Sequence, residues 1–241
     1  MKVGLIGFGK TGKAVASVLL QSSEVSLQWV LRKSHTLEHR SVPEFLGISS
    51  KEPGLIYSID EYRAGELLDR LPVDVIIDFS SQEGIAYYGQ TAAERGISIV
   101  SAISSYDSDR LDHLSALAEK TRVVWSPNIT IGINFLIIAA RILKSIAPYT
   151  DIEIVEEHFK AKPEVSGTAR KIAAALDLDD AAIKTVRLKH ESITREAFGN
   201  GVLFAAKHIG ARETGLYTME DLLLPYFNAG SVCGGVDKAA A

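Results

Sequence analysis

Cysteine is nearly absent: Cys233 is the one thiol in 241 residues. No internal disulfide framework and no multi-cysteine metal site can be built from it, and no metal site is assigned. The scarcity points to a reducing, cytoplasmic setting. No basic run occurs, because the six histidines and 26 lysines and arginines are scattered; the formal net charge of -4 gives no reason to expect a nucleic-acid partner. Long apolar runs are also missing. The longest, Ile131 to Ile146, is broken by Asn134, Arg141 and Lys144, so it reads as a buried helix and not as a membrane span. The apolar start is too short for a targeting segment. No internal repeat or low-complexity region stands out, and Val236 to Ala241 resembles an expression-vector scar that plays no part in the fold reading.

What is present is an ordinary globular composition, 46% hydrophobic and 23% charged, with room for one large or two modest domains. The organising stretch is the beginning. Val3, Leu5 and Ile6 give a short buried strand, and Gly7-Phe8-Gly9-Lys10-Thr11-Gly12 follows at once, ahead of an Ala/Val/Leu-rich helix read over Lys13 to Leu20. This is G-x-G-x-x-G between a strand and a helix. Gly7 permits the tight turn, Gly9 lets backbone approach a pyrophosphate, and Gly12 lets the helix pack on the strand. The N-terminal N–H groups and dipole of the helix then face the phosphates.

A second strand, Val25 to Leu31, ends at Arg32-Lys33-Ser34. In this fold a carboxylate at that point binds the ribose 2′-hydroxyl of NAD, whereas a cation accommodates the 2′-phosphate of NADP. Arg32 therefore favours NADPH, with NADH as the alternative; the blander reading is that Arg32 and Lys33 simply solvate a loop. Thr36 to Pro53 lacks periodicity apart from a helical turn near Glu44 to Gly47. Strands are expected at 55–58, 73–79, 97–102 and 122–125, alternating with helices at 60–71, 83–95 and 108–120. Such alternation predicts an α/β fold, a Rossmann-type doubly wound parallel sheet. A helix over 131–146 leads to a strand at 152–156, the entry to a second domain. Further on come a helix to about Leu176, a strand at 184–189, a helix at 196–208, and a last ordered piece from Gly215 to Tyr226.

The second informative stretch is Glu156-Glu157-His158-Phe159-Lys160-Ala161-Lys162-Pro163-Glu164-Val165-Ser166-Gly167-Thr168. Ser166, Thr168 and the free N–H groups of a helix start would make a carboxylate nest, and a nearby His or Lys could donate a proton as hydride arrives. A capped helix after a solvated loop explains the same spacing.

Here the chain resembles the dihydrodipicolinate reductase family, which carries Glu-x-His-His-x-x-x-Lys-x-Asp-x-Pro-Ser-Gly-Thr after such a strand. The likeness extends to the glycine loop, Ile77-Asp78-Phe79-Ser80, Pro127-Asn128 with Ile131-Gly132-Ile133-Asn134, Phe198-Gly199-Asn200-Gly201 and Gly215-Leu216-Tyr217-Thr218-Met219. The resemblance implies a catalytic histidine at His158, a proton-donating lysine at Lys162, and a substrate-carboxylate cradle at Ser166, Gly167 and Thr168. It implies cofactor contacts at Gly7, Phe8, Gly9, Lys10, Thr11, Gly12, Phe79, Ser80, Ala102, Ser104, Asn128, Arg195 and Phe198, beside Arg32, Lys33 and Ser34. Residues 1–127 with 195–227 would form the dinucleotide domain, 128–194 a reduced α+β substrate and oligomerisation domain, and 228–241 a tail.

Four departures stand out. Ala102-Ile103-Ser104-Ser105 replaces the family's Gly-Thr-Thr-Gly loop, Phe159 replaces the second histidine, Glu164-Val165 stands with one residue fewer in place of the Asp-x-Pro before Ser-Gly-Thr, and a Gly-rich segment ending Val-Gly-Glu-His is missing. The missing segment supplies strands through which the family forms tetramers, so a homodimer or other homo-oligomer is expected. The implied activity is hydride transfer to a C=N or conjugated C=C bond of a small, cyclic carboxylated substrate. The substrate is either the family's own or a related cyclic imino acid of another pathway; a catalytically silent nucleotide-binding sensor or partner subunit is the reading from a different class.

Overall fold

The computed structural model describes residues 1–52, 54–146, 150–153, 184–187 and 194–228. The elements are β1 (Lys2–Ile6), α1 (Lys10–Gln21), β2 (Ser26–Arg32), α2 (Val42–Leu46), β3 (Leu55–Ser58), α3 (Ala64–Arg70), β4 (Val75–Asp78), α4 (Gly84–Glu94), β5 (Ser98–Ser101), α5 (Ser108–Ala118), β6 (Arg122–Trp125), α6 (Ile131–Ile146), β7 (Thr150–Glu153), β8 (Lys184–Arg187), α7 (Glu196–Ile209), β9 (Gly215–Tyr217) and α8 (Met219–Asn228). A seven-stranded sheet runs β3-β2-β1-β4-β5-β6-β9 with every pairing parallel, and β7 pairs with β8 in parallel separately. The expected doubly wound architecture is what the chain adopts.

Both faces of this sheet are covered, which explains why its strands read as continuous apolar runs. Val3 and Leu5 of β1, Val75 and Ile77 of β4 and Val100 of β5 share one core with Val15 and Leu19 of α1, Val202 and Ala205 of α7, and Leu222 of α8. Their strand neighbours Ile6, Ile76 and Ile99 turn to the other face, where Leu67 of α3, Ile85 and Tyr88 of α4 and Leu114 of α5 bury them. Gly4 breaks the β1 pattern for a packing reason. The indole of Trp29 on β2 occupies the place where a Cβ would lie, and its Nε1 donates to the Leu71 carbonyl at 3.0 Å.

The polypeptide returns to the sheet at its far end. Helix α7 packs along α1, where Gly199 leaves room for Val18, and Gly201 lets the same helix lie against the Ile129 carbonyl, which a Cβ there would strike. Strand β9 then adds to β6, with Gly215 N donating to Thr121 O at 3.1 Å. Helix α6 also packs on α7 and α8, burying Ile137, Ile138 and Ala140.

Most strand and helix ends shift by a residue or two from the sequence reading, β7 from 152–156 to Thr150–Glu153, and three differences have a local cause. Helix α1 starts at Lys10, three residues early, because the second half of the glycine motif is itself the first helical turn. Helix α3 starts at Ala64 and not at Asp60, after a turn in which Glu61 N donates to Ser58 O; the Glu66 carboxylate accepts from Arg63 N at 3.1 Å and fixes the start. Gly215 to Tyr217, read only as the beginning of a final ordered piece, is a full member of the sheet.

Candidate dinucleotide-binding site

Strand order reverses between β1 and β4, so their carboxyl ends open a crevice, the place where open α/β sheets bind ligands. The glycine loop lines one side. Gly7 turns at φ +94°, in the left-handed region, and donates its N–H to Leu31 O at 2.9 Å; a Cβ there would meet Phe79 O at 2.5 Å. A Cβ on Gly12 would strike the Gly7 carbonyl oxygen, so this residue keeps α1 against the loop. Gly9 differs from both: nothing among the described residues lies within 4 Å of where its Cβ would be, and it is exposed. That open face is where a pyrophosphate can approach backbone.

Gly9 is also the N-cap of α1, with no side-chain cap and no acid in the first turn. The first intrahelical bond is Lys13 N to Gly9 O at 3.0 Å, which leaves the N–H groups of Lys10, Thr11 and Gly12 without intrahelical acceptors and the positive end of the helix uncompensated. Lys10 is exposed and Thr11 half-buried beside it. Phe8 points the other way. Its ring is buried, 5.8 Å from that of Phe45, with the Lys13 ammonium 4.7 Å from the Phe45 centroid, so only its backbone can face a ligand.

At the end of β2, Arg32 is half-buried and Lys33 exposed, and among the described residues neither makes an ion pair or side-chain hydrogen bond. The acids around them are engaged by histidines. His35 Nδ1 lies 2.7 Å from Glu38 and its Nε2 3.4 Å from Asp60, and His39 Nε2 lies 2.7 Å from Glu61. The hydrogen bond to Glu38, with its charge, holds the His35 imidazole above its ordinary pKa. Ser34 caps the 3-10 turn at His35–Leu37 by accepting from Thr36 N.

The opposite wall is the end of β4. Asp78, fully buried, accepts from Ser80 N at 2.8 Å, from Ser80 Oγ at 2.6 Å and from the Tyr88 hydroxyl at 2.9 Å. Burial pushes its carboxyl above the ordinary range, and these three donors pull the other way. Phe79 is half-buried and Ser80 exposed. Beyond β5, Ala102 N donates to Asp78 O at 2.9 Å, Ser101 Oγ and the buried Tyr106 hydroxyl lie 2.8 Å apart, and Trp125 Nε1 donates to Ile103 O at 3.0 Å. Ala102 is half-buried and Ser104 exposed on this fixed loop. After β6, Asn128 Oδ1 accepts from Thr130 N and Oγ1, and the buried Asn134 amide donates to Asn128 O at 2.7 Å and Thr130 O at 2.8 Å.

Arg195 is the exposed N-cap of α7, and Phe198, three residues on, packs half-buried against the α1 side of the core. His158, Lys162, Ser166, Gly167 and Thr168 lie outside the described residues. The structure thus brings together the ends of β1, β2, β4, β5 and β6, and the residues expected at those ends lie along one sheet edge. Asp78, Tyr88, Tyr106, Trp125 and Asn134 behind that edge were not singled out for any role. The one signal available was an acid closing the otherwise apolar strand Val75-Ile76-Ile77-Asp78. The open Gly9, the acid-free helix start and Arg32 and Lys33, unpaired among the described residues, fit a dinucleotide phosphate chain.

Comparison with known proteins agrees with this geometry. Residues 1–129 match the family described as dihydrodipicolinate reductase, N-terminus. A 4-hydroxy-tetrahydrodipicolinate reductase of Syntrophus aciditrophicus is 26% identical over 263 aligned residues, covering 90% of this chain and 96% of that protein. One from Caldanaerobacter subterraneus subsp. tengcongensis is 30% identical over 192 residues, covering 62% and 76%. Among solved structures, the dipicolinate-bound dihydrodipicolinate reductase from Paenisporosarcina sp. TG-14 superposes with a TM-score of 0.66 over 90% of this chain and 97% of that one, at 16% identity, a likeness of fold.

Proposed function

This chain belongs to the dihydrodipicolinate reductase family, and from that premise we propose that it reduces the substrate named in its relatives, 4-hydroxy-tetrahydrodipicolinate, with NADPH. It is an NAD(P)H-dependent oxidoreductase of that type. The preference for NADPH rests on Arg32, a guanidinium without a partner among the described residues at the strand end where a 2′-phosphate would sit.

The observation that carries the reading is the open, acid-free glycine loop at the β1–β4 crevice with that cation one strand away. The first-turn N–H groups of α1 bind the phosphates, Lys10 and Thr11 flank them, and the ends of β4 and β5 limit where the reactive ring can lie. The cofactor supplies a hydride when bound. Lys162 or His158 gives a proton to the atom beside the reduced carbon, and Ser166, Gly167 and Thr168 hold a substrate carboxylate.

A second reading, reduction of a different cyclic imino acid, is favoured by the 102–105 loop, which lacks the family's glycines and is held by Trp125 at the Ile103 carbonyl. Following nicotinamide absorbance with 4-hydroxy-tetrahydrodipicolinate and a panel of cyclic imino acids separates the possibilities. Consumption of NADPH with the named substrate supports the proposal, and consumption with another imino acid only supports the second reading. Binding of nucleotide without turnover of any compound contradicts both.

A further inference from the structure

The buried carboxylate of Asp78 has no part in the chemistry described so far, yet it organises the wall of the crevice. It closes β4 with none of its surface exposed, in a strand whose other three residues are Val75, Ile76 and Ile77. Burying a charge is costly unless hydrogen bonds compensate. Three donors do so here, and two of them belong to Ser80. The bond from Ser80 N, two residues on, closes an Asx turn. The space is reserved for it: a Cβ on Gly84 would strike Ser80 Oγ and stand 3.1 Å from Asp78 Oδ2. The residue between, Phe79, presents its carbonyl to Gly7 at the distance where only a glycine fits.

A hydroxyl has one proton to give. Ser80 Oγ gives it to Asp78 Oδ1 at 2.6 Å, and the residue is otherwise exposed on the crevice wall. What it can offer a ligand is therefore lone pairs only, and it is matched to a donor and not to a phosphate oxygen.

Resting on the reading that this crevice takes a nicotinamide dinucleotide, we propose that Asp78 is a positioning residue: it holds Ser80 as a fixed acceptor for a hydroxyl or amide N–H of the nicotinamide half. Arg32 selects the 2′-phosphate at one end; the Asp78–Ser80 pair grips the part that NADPH and NADH share. Its loss affects both nucleotides alike.

The test is titration of both nucleotides against wild-type protein, Ser80→Ala, Asp78→Ala, Asp78→Asn and the Asp78→Ala/Ser80→Ala double variant. Loss of one such hydrogen bond corresponds to a change of up to about tenfold. Ser80→Ala and Asp78→Ala should each weaken NADPH and NADH by about that factor. The double variant should bind no worse than Asp78→Ala, since the two act as one unit. Asp78→Asn, which keeps an acceptor oxygen, should restore binding to within about threefold, under 1 kcal/mol. A merely structural Asp78 would lower the melting temperature and leave the affinity of the folded protein unchanged, and that result overturns the inference. Ser80 is exposed and its alanine variant is expected to fold, so unchanged affinity in Ser80→Ala overturns it even where Asp78→Ala does not fold. Wild-type protein that binds neither nucleotide overturns the functional reading along with it, whereas wild-type binding with unaffected variants overturns this inference alone.

Discussion

Arg32 stands where NAD enzymes place a carboxylate, and the acids near it are already engaged by His35 and His39. A guanidinium free to grip a phosphate in a fork gains charge-assisted hydrogen bonds that a 2′-hydroxyl cannot return. Arg32→Ala should therefore weaken NADPH by about tenfold, ~1.4 kcal/mol, and leave NADH nearly unchanged; equal losses for the two nucleotides in a fluorescence titration would remove Arg32 from the phosphate site. Lys162→Ala should lower kcat by roughly 10²- to 10⁴-fold, the usual cost of a lost general acid, with nucleotide affinity intact. Full turnover by that variant would end its assignment as proton donor. At this scale the glycines were legible, because Gly7 and Gly12 state backbone requirements in the residue type itself. Asp78 was not. An acid at a strand end looks like the end of the strand, and its meaning depends on Tyr88 ten residues later and on a helix packing that no local pattern encodes.

Among the elements, α7 shows how a small residue sets a packing distance. Alanine has the better helix propensity by about 1 kcal/mol, but at Gly201 its methyl would strike the Ile129 carbonyl, a backbone atom that cannot swing aside. Overpacking of this kind costs about 1–3 kcal/mol, so Gly201→Ala should lower the urea midpoint, and a raised midpoint would show that α7 has room to shift. The strands buried on both faces and the amphipathic helices between them were legible from their apolar runs. Strand β9 was not, since three residues have no measurable period and their partner, β6, lies about ninety residues earlier in the chain. The early start of α1 was missed because Gly12 argues against helix, while the Gly7 carbonyl above it demands glycine there.

For the molecule as a whole, burial holds the Asp78 carboxyl above its ordinary value of 3.8, so the folded state takes up a proton at higher pH than the unfolded chain. The contribution of this group to stability is fully present below that value and is lost as pH rises through the folded one. The melting temperature of wild-type protein relative to Asp78→Asn should thus increase as pH is lowered from neutral towards the ordinary value of 3.8; a difference independent of pH over that whole range would mean that the group titrates alike in both states. The shortened chain leads us to expect a homodimer, and sedimentation showing a stable tetramer would refute that. The central claim is that this sheet edge delivers hydride to a carboxylated cyclic imine. Its most direct test is turnover of 4-hydroxy-tetrahydrodipicolinate with NADPH deuterated at the reactive ring carbon, followed by mass spectrometry of the product. The account predicts a single deuterium in the reduced product. Product without deuterium from either face of the ring, or no product at all, would contradict it.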